Sequence, residues 1–472
     1  MVFSSLFFLF LFLPLNLVIY YSIKNSTARN IILIIFSLIF YAWGEPIWVG
    51  LLLISTVADY YNGLFIEKHQ GKFLAKVGLI VTLVFNLGIL ITFKYSDFII
   101  ENVNWLFASN FTQPHFLLPI GISFYTFQSI SYCIDVYKGQ VKAQKSIINY
   151  LLFISLYHQL VAGPIVRYSH IASEIATRAF SWEDFSSGVT RFCKGLFKKV
   201  AIANFAGEIC TQFLDKDISS ITPLAGWYGI FIYAIQIYFD FSGYSDMAIG
   251  LGRMFGFHYH ENFNHPFVSR SITEYWRRWH ISLSTWLSDY VFMPVMIRFR
   301  DYKNFSIFFG IFFTFFVSGV WHGASWNFII WGLYFGFWVY LEKIFITKFM
   351  KKVPGFFHHL YFIMLILPSW SLFYFTDLHK LFEFWKMLLD FPAYLNENIE
   401  LQFSVRQNIF WIFVSILLCL PIYNWIIKFF NEKIKNLPFV FTTEIAMNFF
   451  FLCTSVMLLV GSSYNPFLYF RF

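Results

Sequence analysis

Apolar stretches long enough to cross a lipid bilayer recur from Leu6 to Val460 and leave no block with the composition of a soluble domain. A crossing needs about 17–25 residues of helix. Runs of that kind lie near 3–22, 31–66, 77–93, 117–136, 148–163, 190–213, 224–250, 305–321, 325–347, 357–375, 408–430 and 444–461. The 31–66 stretch must be two helices, because Gly44-Glu45-Pro46 breaks it. The pattern predicts an all-α, polytopic protein with roughly a dozen membrane helices, some of the middle ones re-entrant, and a single membrane domain over 1–472. Composition agrees: 58% of residues are hydrophobic and 13% charged, where soluble domains carry about a quarter charged. The 66 Phe and 16 Trp suit aromatic packing and interfacial anchoring. Membrane lipid is thus the expected surrounding.

Charge placement narrows the function classes. The net charge of +8 is spread over short loops between apolar runs. It forms no basic soluble face, so no nucleic-acid partner is expected. Loops 23–30, 67–76 and 137–147 are basic, whereas 96–116 carries Asp97 and Glu101 without a base. With 44–46 turning on the opposite side, the positive-inside rule places the three basic loops in the cytoplasm. Lys343, Lys348, Lys351 and Lys352 then lie inside with Lys433 and Lys435, and the acidic stretch 376–407 and Phe472 lie outside. The start of the chain has no basic region and no small-residue cleavage site, so it is expected to be a retained first helix. Five scattered cysteines without a CxxC pair indicate neither a disulfide framework nor a zinc site. No internal repeat of the transporter type is visible.

Two polar intrusions break the pattern. The run from Ser269 to Tyr290 reads as one amphipathic helix, with Trp276, Trp279, Leu283, Trp286 and Tyr290 on one face. Glu274 is placed to pair with Arg277 and Arg278. His280 and Ser284 follow Trp276 at one-turn steps. This is either an interfacial anchor or part of a reaction site. Ser318-Gly-Val-Trp321-His322-Gly-Ala-Ser-Trp326 lies between apolar stretches. A charged residue at such depth costs about 2.5 kcal/mol or more and points to function. His322 is either a neutral, proton-accepting base or a histidine that ties helices together. Ser318, Gly319, Gly323 and Ala324 either permit close helix approach or leave room for substrate. Asp240 and Asp246 are intramembrane carboxylates that orient a site group or pair with an arginine such as Arg253. His258, His260, Glu261 and His265 mimic metal-ligand spacing, but nothing fixes their geometry and no metal is expected.

Several ordered motifs carry a resemblance. These are Tyr238-Phe-Asp-Phe-Ser-Gly-Tyr-Ser-Asp246, Glu261-Asn-Phe-Asn264, Tyr275-Trp-Arg-Arg-Trp-His280-Ile-Ser-Leu-Ser284 and Val320-Trp-His322-Gly. With Leu118-Pro-Ile-Gly, Ala162-Gly-Pro164 and the closing Tyr469-Phe-Arg-Phe472, they resemble the membrane-bound O-acyltransferase family. The likeness is to its alginate-acetylating branch and the relatives that acetylate peptidoglycan and other exopolysaccharides. The resemblance implies a ring of tilted helices around a central tunnel, with a catalytic block at about 238–331. It makes His322 essential and His280 the second histidine. Asp240, Asp246, Trp321, Ser284 and Asp289 are candidate orienting or supporting groups.

The resemblance further implies no bound cofactor, acetyl-CoA as donor, and a polysaccharide acceptor outside a bacterial cytoplasmic membrane. It also implies a separate extracytoplasmic transferase of the SGNH type as partner. One departure is Asp289-Tyr-Val-Phe-Met-Pro294, which looks more like the branch that transfers D-alanine to teichoic acid. Lipid or protein O-acylation, and a transporter or flippase with a histidine proton relay, stay open as alternatives. The asymmetric 263–331 block argues against transport.

Overall fold

The computed structural model describes residues 1–161, 163–422, 437–461 and 467–468, side chains of 437–441 excepted. Every regular element among them is helical. Seven helices have the length and apolarity to cross a bilayer: Trp48–Lys68, Phe73–Phe107, Lys303–His322, Trp326–Met350, Gly355–Tyr374, Ile399–Cys419 and Thr442–Gly461. Phe8–Ser22 and Ser26–Ala42 are shorter apolar helices. The break at Gly44–Pro46 falls as expected, between Ser26–Ala42 and Trp48–Lys68.

Other expected spans are shorter or more polar than the runs suggest. The 148–163 stretch divides at Leu156 into Ile147–Ser155 and Tyr157–Leu160. Nine residues at about 1.5 Å each cover less than half of a bilayer core. The helix Ile122–Tyr137 is buried along nearly its whole length, by protein on all sides. Pro223–Met254 continues for 32 residues and carries Asp240 and Asp246. Ala162, Lys433, Lys435, the end of the 408–430 run and Tyr469–Phe472 lie outside the described residues.

The chain gathers into two compact units, Met1–Gly195 with Tyr244–His260, and Leu196–Gly243 with Glu261–Phe472. In the first, polar side chains join apolar helices: Asn86 donates to both carboxylate oxygens of Asp59, at 2.9 and 3.0 Å. Such contacts tie helices together where burial of apolar surface gives no preference over lipid. Two of the basic loops meet here, since Glu67 accepts from the Ala143 amide at 2.9 Å and pairs with Lys145. They therefore share a side, as loop charge predicts.

In the second unit, helices Lys303–His322 and Trp326–Leu341 form a hairpin. A Cβ at Gly319 would lie 2.4 Å from the Phe328 carbonyl oxygen, and one at Gly332 2.3 Å from that of Phe315. At Gly319 the two readings of small residues are thus resolved in favour of close packing. Phe335 of this hairpin packs in one buried core with Tyr275, Trp279, Phe362 and Trp370.

Candidate active site

The polar run 269–290 is not one helix. Residues Ile272–Trp276 form a first helix, capped by Ser271, whose hydroxyl accepts from the Glu274 amide at 3.0 Å. The buried Glu342 carboxylate accepts from the Ile272 and Thr273 amides at 2.6 and 2.8 Å, satisfying two more donors of that helix end. Glu274 pairs with Arg278 at 2.9 Å. The chain then turns, and His280 adopts φ 44°, ψ 53° as the residue before a second helix, Ile281–Leu287. A left-handed conformation is uncommon for a residue with a side chain. Asn262 holds it: its carbonyl accepts from the Ile281 amide at 2.9 Å. Its side-chain oxygen accepts from the Ser282 amide at 3.2 Å and the Ser282 hydroxyl at 2.9 Å.

The same Asn262 Oδ1 lies 3.1 Å from His280 Nδ1. An oxygen that accepts from Ser282 must also accept from the imidazole, so Nδ1 carries the proton and Nε2 keeps the lone pair. His280 is 1% exposed, and burial pushes its pKa down to about 3. It is a neutral imidazole of fixed tautomer. It can orient an acceptor hydroxyl by accepting from it, but it cannot stabilise an oxyanion through Nε2.

His322 is the last residue of Lys303–His322, beside the turn that closes the hairpin. Its enclosure comes from tertiary packing as well as from apolar chain on either side. Trp331 meets it edge-on at 4.8 Å between ring centres, and Phe373 at 5.4 Å. His322 lines a narrow pocket together with Asp240, Phe241, Trp279, Trp331 and Trp370. The indole N–H groups of Trp331 and Trp370, residues 2% and 1% exposed, have no acceptor among the described residues. A buried donor left unsatisfied costs about 1–3 kcal/mol, so this pocket suits a ligand with oxygen acceptors.

Asp240 joins His322 in the pocket lining, and its charge is balanced. Lys199 Nζ lies 2.6 Å from Asp240 Oδ1, with both side chains almost wholly buried, and the Leu468 amide donates to Oδ2 at 2.8 Å. Trp321 neighbours both histidines, its ring centre 6.1 Å from that of His280 and 5.0 Å from that of His322. His280 contacts the pocket through Phe241, ring to ring at 4.6 Å.

The remaining candidates are not drawn in. Ser284 turns back to the Trp279 carbonyl, at 3.5 Å. Asp289 sits half-buried in the π-helical turn Ser288–Phe292, outside the pocket lining. Asp246 belongs to the first unit, where Arg191 grips one of its oxygens with Nε at 3.0 Å and Nη2 at 2.8 Å. The carboxylate partners are thus Lys199 and Arg191, not Arg253. Of the histidines with metal-like spacing, His258 bonds Glu174 and Asp184, and His265 faces the Cys419 carbonyl at 3.3 Å.

Several site residues were missed in the sequence. Lys199 carried a usable signal, a cation inside the 190–213 apolar run. Trp331 and Trp370 carried none, since an aromatic in an apolar helix reads as packing. The pocket also reaches beyond the 238–331 block, to Trp370, Phe373 and Leu468.

The model of the membrane-bound O-acyltransferase family matches residues 45–385, which include both histidines. The chain belongs to the membrane-bound O-acyltransferase family. This O-acyltransferase is similar to a probable alginate O-acetylase of Azotobacter vinelandii, 40% identical over 382 residues covering 79% of this chain and 75% of the relative. A peptidoglycan O-acetyltransferase of Helicobacter pylori is 34% identical, over 71% of this chain and 69% of its own. A teichoic acid D-alanyltransferase of Bacillus subtilis is 32% identical over 49% of this chain and 61% of its own. The protein is therefore a multi-pass membrane enzyme that transfers acyl groups.

Proposed function

We propose that this acyltransferase takes an acetyl group from acetyl-CoA on the cytoplasmic side of a bacterial cytoplasmic membrane and delivers it for O-acetylation of an extracytoplasmic polysaccharide, alginate-like or peptidoglycan. The observation that carries the reading is the pocket around His322, which combines an imidazole with two indole donors that lack acceptors. Similarity to alginate and peptidoglycan acetylating enzymes supports the acetyl group and the glycan.

In the proposed reaction, His322 removes the proton from an acceptor hydroxyl as its oxygen attacks the thioester carbonyl, a contribution of about 10²–10⁴-fold. The Trp331 and Trp370 N–H groups donate to the oxygen that gains charge. The carbon–sulfur bond breaks, the imidazolium returns its proton to the leaving thiolate, and the ester remains. His280, with its acceptor nitrogen, orients the hydroxyl. That hydroxyl belongs to the glycan or to a serine of an SGNH-type partner that completes the transfer outside.

The test is incubation of membranes containing the protein with acetyl-labelled CoA, followed by mild alkaline release of label from the glycan fraction. Label that depends on His322 supports the reading, and its absence with intact protein overturns it. A second reading, D-alanyl transfer to teichoic acid, is favoured by Val291-Phe292-Met293 and by the Bacillus subtilis relative. It predicts that alkaline treatment of the envelope releases D-alanine instead of acetate.

A further inference from the structure

A second cleft, in the first unit, gathers three guanidinium groups that no carboxylate among the described residues pairs with. It is lined by Arg29, Arg178 and Arg253 with Tyr20, Tyr21 and Asp184 among others. Among the described residues, the hydrogen-bond partners of the three guanidinium groups are neutral oxygens. Arg29 Nε donates to the Ile23 carbonyl at 2.6 Å. Arg178 donates to the Tyr20 hydroxyl at 3.1 Å, the Glu174 carbonyl at 2.7 Å and the Asn30 side-chain oxygen at 2.5 Å. Arg253 donates to the Ser187 hydroxyl at 3.2 Å.

The carboxylate in the lining, Asp184, is engaged by His258 Nε2 at 3.2 Å, and the neighbouring Glu174 by His258 Nδ1 at 2.8 Å. Among the described residues, no carboxylate pairs with Arg29, Arg178 or Arg253. The guanidinium carbons of Arg29 and Arg178 both lie within 6.0 Å of the Tyr20 ring centre, and that of Arg178 lies 4.4 Å from the Phe257 ring centre. The ring contacts hold the groups in place; Arg178 already uses all three of its nitrogens, whereas Arg29 and Arg253 use one each and keep further N–H groups for a ligand.

Like charges held together repel unless an anion is shared between them, and arginine forks match the oxygens of a phosphate two at a time. We propose that this cleft binds a phosphate group. The ligand is either the phosphate of a nucleotide-bearing thioester carrier or that of a phospholipid headgroup. Both are available where the basic loop containing Lys24 and Arg29 is expected to lie, at the cytoplasmic surface. The proposal does not depend on the role of His322, because it concerns binding alone.

The test uses the full chain in nanodiscs of phosphatidylcholine, with two probes: CoA in solution, and phosphatidylglycerol supplied in mixed discs and read as retained lipid by native mass spectrometry. Arg178 is left in place because it joins Tyr20, Glu174 and Asn30. The double variant Arg29→Gln with Arg253→Gln is compared with Arg29→Lys with Arg253→Lys. Either single glutamine variant substitutes if the double one does not accumulate.

The expected result is at least tenfold weaker binding of one probe by the glutamine variant, with the lysine variant between it and the parent. Loss confined to CoA identifies the nucleotide phosphate, and loss confined to phosphatidylglycerol identifies the headgroup. The proposal is overturned if the parent binds neither probe, or if folded glutamine variants bind both as the parent does.

Discussion

Asn262 Oδ1 and His280 Nδ1, 3.1 Å apart, set both the fold of the catalytic segment and the chemistry open to its first histidine. The asparagine closes the turn that interrupts the amphipathic run, and it determines which imidazole nitrogen carries the proton. A group eighteen residues earlier in the chain thus decides what His280 does.

Replacement of His280 by Gln is expected to lower acetylation several-fold at unchanged protein level, because the acceptor nitrogen is lost. Asn262→Ala removes one acceptor from several donors, at about 1–3 kcal/mol, and should lower both activity and thermal midpoint. The two share one network, so the double variant should lose less activity than the product of the singles. Activity of His280→Gln within twofold of the parent would return that residue to a packing role.

His322→Ala is expected to reduce ester formation by at least a hundredfold while the protein still reaches the membrane. Trp331→Phe keeps an aromatic ring near His322 but removes the N–H together with part of the indole, so it should cost about tenfold or more in kcat and also lower the thermal midpoint through the space it leaves. Label release from the glycan fraction measures both, and normal acetylation by His322→Ala would remove it from the mechanism.

Lys199 and Asp240 form a buried pair, so removing one partner leaves a charge without compensation. Lys199→Met is expected to destabilise by about 3–5 kcal/mol, and Lys199→Met with Asp240→Asn by much less. Thermal midpoints in detergent decide this, and equal loss for single and double variants would contradict the pairing.

His258 predicts a pH dependence. Partial burial lowers its pKa, but hydrogen bonds and charge from Glu174 and Asp184 outweigh that and leave it raised above 6.5. A raised folded-state pKa stabilises fully below the unfolded value and loses that stabilisation as pH rises through the folded one. His258→Ala should therefore lower the thermal midpoint more at pH 6 than at pH 9. Equal effects at the two values would deny the charged pair.

Orientation is testable by cysteine accessibility in intact cells. Single cysteines at Lys68, Lys72, Lys142 and Lys145 are expected to resist impermeant reagents, and cysteines within 376–407 to react. Labelling of the 67–76 loop from outside would reverse the donor route.

The all-α membrane character, the break at Gly44–Pro46 and the shared side of two basic loops were legible in the sequence. Each follows from local composition: runs of apolar residues need lipid, a Gly-Glu-Pro step ends a helix, and charge avoids the bilayer. His322 stood out as a polar group in an apolar context, whereas His280 was singled out by the family resemblance. What only the tertiary structure decided depends on residues far apart in the chain. Periodicity alone made 269–290 one helix, because the left-handed turn at His280 is held by Asn262 from outside the run. Lys199 meets Asp240, and Trp370 comes to line one pocket with His322, through packing, which leaves no local pattern. Proton placement on His280 depends on a hydrogen-bond partner, and only three-dimensional contact reveals which atom that partner presents.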